Sequence, residues 1–338
     1  MARLTIRDVA DHAEVSLGTV SNVLNNPQLV ADETRKRVLA AIEELGFVRN
    51  NAARQLRGVT SAAIALVVLD FDNPVFTEIA RGVEHAAAAS GHVVVLASSG
   101  SAPSREDEAL RLLEEERVAG ILISPATSTP PRRLRQLRGH GVPVVLLDRR
   151  RSRADQCSVA VDDTRGGRLV GEHLVALGHK RIGLLNGPRR LKPCSERRDG
   201  LLAVLKARRL TLAAEHDVEM DTMTIDSGEE GMNELLRRKR LPSAVFCGND
   251  LMAIGAERAV LAAGLSIPDD MAIVGYDDIQ FAATSLVPLT SVRIRAYELG
   301  YEAAKLLIEE VTAAERHEHR TVLLQPELVA RSSTVVSR

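Results

Sequence analysis

A chain of 338 residues is longer than one hydrophobic core ordinarily organises, so its length points to two or three domains. Hydrophobic residues make up 45% and charged residues 26%, a balance that suits a soluble globular protein and excludes a disordered or fibrous one. The formal net charge of −1 excludes a polycation, so any binding of nucleic acid must come from a local surface.

Three short helical patterns open the chain. Ile6, Val9, Ala10 and Ala13 recur at helical spacing behind Thr5, a residue suited to cap the first turn. Glu14-Val15-Ser16 breaks the pattern, and Thr19, Val20, Val23 and Leu24 resume it on a second helix. After Asn25-Asn26-Pro27 a third begins near Asp32, with Val38, Leu39, Ile42 and Leu45 on one face and Gly46 to stop it. These residues carry eight Lys and Arg against seven Asp and Glu as far as residue 60, so charge alone reads as an ordinary solvated surface.

From Ala63 the pattern alternates. Apolar runs that read as buried strands cover 63–69, 92–97, 120–124, 143–148, 181–186, 244–247 and 271–275. Amphipathic helices cover 77–90, 105–117, 163–177, 197–208, 228–238, 250–263 and 297–311. Strand–helix alternation of this kind predicts parallel sheets covered by helices on both faces, and the number of strands asks for two lobes. The tail from Arg331 is short and polar.

Cys157, Cys194 and Cys247 are far apart and odd in number, so reduced thiols and a cytoplasmic location are expected. Arg7, Asp8, Asp11 and His12 interrupt any leader-like apolar stretch, and the longest apolar run, 62–69, is too short to cross a bilayer. His317 and His319 supply at best two ligands, so no metal and no cofactor is expected.

The segment from Val9 to Asn25 reads as two short helices meeting across a tight turn, with Ala10, Val15, Val20 and Val23 filling a small shared core. Ser16 is placed to cap the second helix, leaving Leu17 and Gly18 in an exposed first turn. Hydroxyls at Ser16, Thr19 and Ser21 suit phosphate oxygens. A generic helical bundle would not ask for such crowding of Ser, Thr and Asn on one short helix.

Here the chain resembles the family of lactose-repressor-like regulators. The likeness runs through Thr5 to Ala10, Val15-Ser16, Thr19-Val20-Ser21 and Val23-Leu24-Asn25, then Gly46-Phe47 and Asn50 to Leu56. It resumes at Leu177 to Ile182, Asn249-Asp250, Val274 to Asp278 and Pro288 to Val292, in order and over nearly the whole chain. The resemblance implies an N-terminal all-α helix-turn-helix domain (1–49) and a hinge helix with linker (50–60). These lead into a two-lobed α/β core of the periplasmic-binding-protein kind with parallel sheets (61–338). One lobe is expected over about 61–160 and 291–320, the other over about 161–290 and 321–338.

The resemblance also implies roles. Leu17, Gly18 and Asn22 fall where the family reads bases, Leu17 against a thymine methyl and Asn22 against adenine. Thr5, Ser16, Thr19, Ser21, Asn25 and Asn50 join them as DNA contacts. Leu56 matches the leucine that the family wedges into the minor groove, and Ala53 lets two hinges pack closely. Glu14 departs from the Gly or Asn common at its turn position and costs local strain if the backbone there is left-handed.

Polar residues at strand ends in a two-lobed protein converge on a cleft. Asp148 stands at such an end, and the family places effector contacts at positions matching Arg197, Asn249 and Asp277 and around Asn73 and Phe76. Arg197 opens the Arg-x-x-Gly that closes at Gly200. Asp250 reads as a helix N-cap, Asp278 as a loop brace, His179 as a helix-end element and Cys247 as a small core residue. Ile294 stands where relatives often carry glutamine, and Arg295 where they often carry proline.

The expected partners are therefore a double-stranded DNA operator, a small-molecule effector (a sugar or sugar derivative, with a nucleobase as the alternative) and a second copy of the chain as a homodimer, with no membrane. Two rival readings meet contrary features. An exported sugar-binding protein needs a leader and no helix-turn-helix. An α/β enzyme needs a G-x-G-x-x-G loop or a G-x-S-x-G elbow, and neither occurs.

Overall fold

In a computed structural model of the chain, residues 4–48, 61–126, 132–149 and 156–335 are described. Asn50, Ala53 and Leu56 lie outside them. The chain divides into two compact units, Met1–Ser61 and Ala62–Arg338. No helix among the described residues is long and apolar enough to cross a membrane.

The first unit holds α1 (Ile6–His12), α2 (Leu17–Asn25) and α3 (Asp32–Leu45), with a short 3-10 turn at Pro27–Leu29. Val9, Ala10, Ala13, Val20, Val23, Val38 and Ala41 form its buried core, with Val15 packed at the margin. Asp8 returns a carboxylate to the Thr5 backbone N–H at 2.6 Å and to its hydroxyl at 2.8 Å, closing the first turn of α1. Gly46 ends α3 in the left-handed region at φ 61°, the conformation that a glycine reaches at least cost.

The second unit contains two six-stranded sheets. The first is ordered β11-β5-β4-β3-β1-β2, from β1 (Ala63–Val68), β2 (Val93–Ser98), β3 (Ile121–Ile123), β4 (Val144–Leu147), β5 (Cys157–Val161) and β11 (Thr321–Leu324). The second is ordered β12-β10-β9-β8-β6-β7, from β6 (Ile182–Asn186), β7 (Asp217–Glu219), β8 (Ala244–Cys247), β9 (Ala272–Asp277), β10 (Thr290–Arg293) and β12 (Glu327–Val329). The β10–β12 pair is antiparallel, whereas β1–β2, β1–β3, β3–β4, β4–β5, β5–β11, β6–β7, β6–β8, β8–β9 and β9–β10 are parallel. Each sheet thus repeats one winding order, which leaves a crevice at the carboxyl ends of its strands.

The first lobe carries α4 (Pro74–Ala89), α5 (Pro103–Glu115), α6 (Arg132–Gly139) and α11 (Ala296–Thr312). The second carries α7 (Asp163–Ala176), α8 (Lys192–Ala207), α9 (Ile225–Leu236) and α10 (Asp250–Ala262). The chain passes between lobes after β5, between Arg293 and Ala296, and between Leu324 and Glu327. This corrects the expected boundaries near 291 and 321: β10 stays with the second sheet, paired to β9, and β11 returns to the first, paired to β5. A strand belongs to the sheet that satisfies its backbone, and segments this short carry no apolar run that announces which one that is.

Polar residues within β5, β7, β10, β11 and β12 interrupt their apolar runs and hid them from the sequence reading. In α6 only Leu134 and Leu137 are buried among its arginines, too few for a periodic signal. The tail also differs from its polar appearance, because Ser333 and Thr334 are buried. Ser333 donates to the Ile273 carbonyl at 2.6 Å and accepts from the Thr290 N–H at 2.8 Å, bridging the starts of β9 and β10.

Candidate functional site

Two surfaces concentrate the residues singled out by sequence. On α2, the Ser16 hydroxyl accepts from the Thr19 N–H at 3.1 Å and lies 2.9 Å from the Thr19 hydroxyl, capping the helix as expected. Asn25 folds back to donate to the Ser21 carbonyl at 2.9 Å. These four side chains spend polar atoms on holding α2. Leu17, Gly18 and Asn22 are exposed, and with Ser21 and Asn25 they follow the i, i+1, i+4, i+5, i+8 spacing of one helical face. Thr5, also exposed, holds the start of α1.

Glu14 sits in the turn before α2 at φ 51°. A side chain in that region costs about 1–2 kcal/mol, of which glycine would return part as unfolded-state entropy. Glu14→Gly is therefore expected to stabilise the helical unit by about 0.5–1 kcal/mol. Thermal unfolding of that unit within the full chain checks this, and a lower melting temperature would refute it.

In the second unit, Asn73, Phe76, Asp148, Arg197, Asn249 and Asp277 all line a single cavity of about 650 Å³, together with Ile294. Asn73 and Phe76 at the start of α4 and Asp148 after β4 come from one lobe, while Arg197 on α8, Asn249 at the cap of α10 and Asp277 at the end of β9 come from the other. Both strand-end acids have left-handed backbones, Asp148 at φ 56° and Asp277 at φ 99°, and such strain in non-glycine residues clusters at functional sites.

Arg197 is the hub. Its Nε donates to Asp163 Oδ1 at 2.8 Å and its Nη1 to the Gly248 carbonyl at 2.7 Å. Its Nη2 lies 3.7 Å from Asp277 Oδ1, and its guanidinium carbon stands 3.7 Å from the centre of the Tyr276 ring. Asp163 and Asp277 raise its pKa well above the ordinary value despite burial, so it is permanently charged. Asn73 caps α4 through the Val75 N–H at 3.1 Å, and its amide crosses to the other lobe to donate to Asp277 Oδ2 at 3.0 Å.

Burial pushes the carboxyls of Asp148 and Asp277 up to about 6. The Ser124 hydroxyl, 2.8 Å from Asp148, and Arg197 and Asn73 beside Asp277 only partly offset it. Asn249 caps α10, accepting from the Met252 N–H at 2.9 Å and donating to the Met223 carbonyl at 3.0 Å. The expected capping role of Asp250 is thereby corrected. Asp250 lies inside the first turn and braces the β9–β10 region, accepting from Ser291 Oγ at 2.6 Å and the Ile279 N–H at 2.8 Å. Asp278 braces its loop through Arg293 and Arg331, both at 2.7 Å. Cys247 is buried in the core, and burial pushes its thiol up.

Sequence reasoning missed Asp163 and the lining residues Cys194, Thr222, Met223 and Thr224. Asp163 follows β5, whose Cys-Ser-Val-Ala-Val lacks a continuous apolar signal, and 222–224 belong to a loop with no motif. The Cys194 thiol is pushed up to about 12 by burial, which leaves it a wall of the cavity rather than a nucleophile.

Comparison with known proteins adds to this geometry. Residues 61–332 match the family described as periplasmic binding proteins and sugar binding domain of LacI family, and residues 5–50 match bacterial regulatory proteins, lacI family. The HTH-type transcriptional repressor PurR of Proteus mirabilis is 34% identical over 331 residues, covering 97% of this chain and 96% of its own. The HTH-type transcriptional regulator MalR of Streptomyces coelicolor is 35% identical over 337 residues, with 97% and 96% covered. Among solved structures, the lac repressor dimer bound to operator and the anti-inducer ONPF superposes with a TM-score of 0.85 at 29% identity, covering 99% of this chain and 100% of that one. A transcriptional regulator CelR–cellobiose complex gives 0.74 at 32% identity, covering 98% and 100%.

Proposed function

The chain belongs to the lacI family of bacterial regulatory proteins, and we propose that it is a repressor whose hold on a palindromic operator is set by a sugar or sugar derivative in the cavity between its lobes. The observation that carries the ligand half of this reading is the convergence of all six polar and aromatic candidates, from both lobes, on one cavity of about 650 Å³. That volume lies within the range of small-ligand sites.

The chemistry of the cavity favours a neutral, hydroxyl-rich ligand. Asp148 and Asp277 accept hydrogen bonds, while Asn249 retains a second amide hydrogen to donate. Arg197 is already matched by Asp163 and Asp277, so it offers no surplus positive charge to a phosphate or carboxylate. Phe76, Leu191, Met223 and Ile294 supply the apolar walls against which a sugar's C–H face rests. The neighbouring structure with cellobiose points to the same ligand class.

Asn73 and Asp277 join the lobes across this cavity. A ligand hydroxyl that takes Asp277 competes with Asn73, so occupancy changes an inter-lobe contact. A bias of this kind is typically about 1–3 kcal/mol. On the DNA side, the exposed face of α2 enters the major groove, with Leu17 against a thymine methyl, Asn22 on adenine and Gly18 offering backbone only. Leu56 serves as the minor-groove wedge. A homodimer presents two such helices to the two half-sites. The edge strand β2 supports self-association, because Val93, Val95 and Leu96 on it are 63%, 41% and 49% exposed.

The reading is tested by deleting residues before Ser61. Operator protection is expected to vanish while ligand-induced thermal stabilisation by a panel of sugars survives. No protection of the promoter region by the full chain, or stabilisation by nucleobases alone, would overturn it. In the full chain, Asn22→Ala is expected to weaken operator binding about tenfold, one bidentate base contact being worth roughly 1–3 kcal/mol. Gel shift at fixed salt checks it, and a change below twofold would remove Asn22 from the base-reading set.

A further inference from the structure

The sequence reading credits His317 and His319 with two ligands at best, and the fold corrects that count. β11 pairs beside β5 with Thr321 opposite Ser158, which brings His319, on the approach to β11, beside Cys157, the first residue of β5. The C-terminal turns of α11 then bring in Glu310. The donor atoms of Cys157, Glu310, His317 and His319 all lie within 4.8 Å of one another. We propose that this cluster is a binding site for a divalent cation of the zinc class, held by Cys157 Sγ, Glu310 Oε2, His317 Nε2 and His319 Nδ1.

The donor separations lie within about half an ångström of those of a tetrahedral zinc site. Zinc bonds of normal length imply donor separations of about 3.6 Å for S···N and about 3.4 Å for N···O. Here Cys157 Sγ lies 3.1 Å from His317 Nε2 and 3.6 Å from His319 Nδ1. Glu310 Oε2 lies 3.8 Å and 3.9 Å from the same two nitrogens. One thiol, two imidazoles and one carboxylate form the mixed donor set that zinc accepts and that harder cations such as magnesium or calcium do not seek.

Hydrogen bonds among the described residues leave Glu310 and His317 of the cluster unsatisfied. Glu310 Oε2 is buried and accepts no hydrogen bond among the described residues, and His317 Nδ1 is likewise without one. A single S–H cannot serve both imidazoles and the carboxylate, whereas a cation satisfies all four at once. The surroundings also suit a metal. The Arg320 backbone N–H points to Cys157 Sγ at 3.4 Å, and a backbone donor of that kind stabilises a thiolate. His317 Nδ1 lies 3.7 Å from the Glu309 carboxylate, which favours the ring orientation that turns Nε2 toward the cluster. Arg138 and Arg320 are the cations nearby, acting on Glu310 and Glu309. Cys157 and His317 are shut from solvent, while the His319 side chain is 26% exposed and provides the way in.

Binding displaces the Cys157 thiol proton to solvent and involves no electron transfer. The thiolate and the carboxylate then balance the two charges of the cation, which leaves a neutral buried unit. The metal ties the start of β5, the end of α11 and the approach to β11, a place separate from the cavity, so the proposal stands independently of the ligand reading.

The test titrates the untagged full chain, freed of metal by a chelator, with zinc and with cobalt(II). One equivalent per chain is expected, with a raised melting temperature. Cobalt should give the visible bands of a tetrahedral site and a thiolate charge-transfer band that Cys157→Ser removes. His319→Ala, at the open edge and least able to disturb folding, should weaken zinc by more than about 100-fold, and Glu309→Gln by about tenfold. No stoichiometric binding, a cobalt spectrum unchanged in Cys157→Ser, or a zinc affinity unchanged in His319→Ala would each overturn the assignment.

Discussion

Arg197→Leu is expected to cost the core about 3–5 kcal/mol and to abolish ligand-dependent control of operator binding. Leucine keeps much of the side-chain volume, so the loss comes from stranding Asp163 and Asp277, both buried, without their cation. Arg197→Lys should recover little, because a single ammonium cannot reach Asp163, the Gly248 carbonyl and Asp277 from one position. Adding Asp163→Asn to the leucine variant removes one stranded charge and should restore part of the stability without restoring the ligand response. Urea unfolding of the full chain, paired with gel shift in the presence of the stabilising sugar, separates the two effects. A cost below about 1 kcal/mol, or an intact ligand response, would remove Arg197 from the hub described above.

The same residue shows why part of the site is legible in sequence and part is not. Arg-x-x-Gly reads as a motif because the helix that carries Arg197 must also approach α7 closely. A Cβ on Gly200 would lie 2.1 Å from the Thr164 carbonyl oxygen, and one on Gly167 would lie 1.9 Å from the Arg197 carbonyl oxygen. Two glycines facing backbone from opposite helices bring Asp163 within reach of the guanidinium. Gly200 is visible beside its arginine. Asp163 is 34 positions away, after a strand whose Cys-Ser start breaks the apolar run that would announce it.

The helix-turn-helix was readable for the opposite reason. Its core, caps and turn are local, so spacing from Val9 to Val23 nearly specifies it. Glu14, the departure in that turn, does have the left-handed backbone that makes a side chain costly there. The alternation of apolar runs and amphipathic helices likewise predicted parallel sheets in two lobes. The crossovers escaped, because β10, β11 and β12 are assigned to a lobe by pairing and not by their own composition. The donor cluster at Cys157 escaped for a related reason, since its cysteine and its histidines meet only through the β5–β11 register.

The second large effect is a pH dependence of ligand affinity. Asp148 and Asp277 titrate near 6 in the folded protein because burial penalises their charge. A carboxyl raised above its unfolded value of about 3.9 binds more protons folded than unfolded between these pH values. Its contribution to stability is therefore present below about pH 4 and is lost as pH rises through about 6. Unliganded, the core works at neutral pH with two reluctant anions. Sugar hydroxyls that donate to them favour the charged forms and draw each pKa back toward 4, so binding releases protons. Affinity is then expected to rise between pH 5 and 7 by about tenfold for a carboxylate that gains a donor, less at Asp277 where the hydroxyl replaces Asn73, and to level off above. Calorimetric titrations in buffers of different ionisation enthalpy measure the protons released directly. Asp148→Asn should reduce both the slope and the proton count while leaving that of Asp277. An affinity that falls with rising pH would mean that the ligand buries these carboxylates without donating to them, and the hydroxyl-rich ligand class would have to be abandoned.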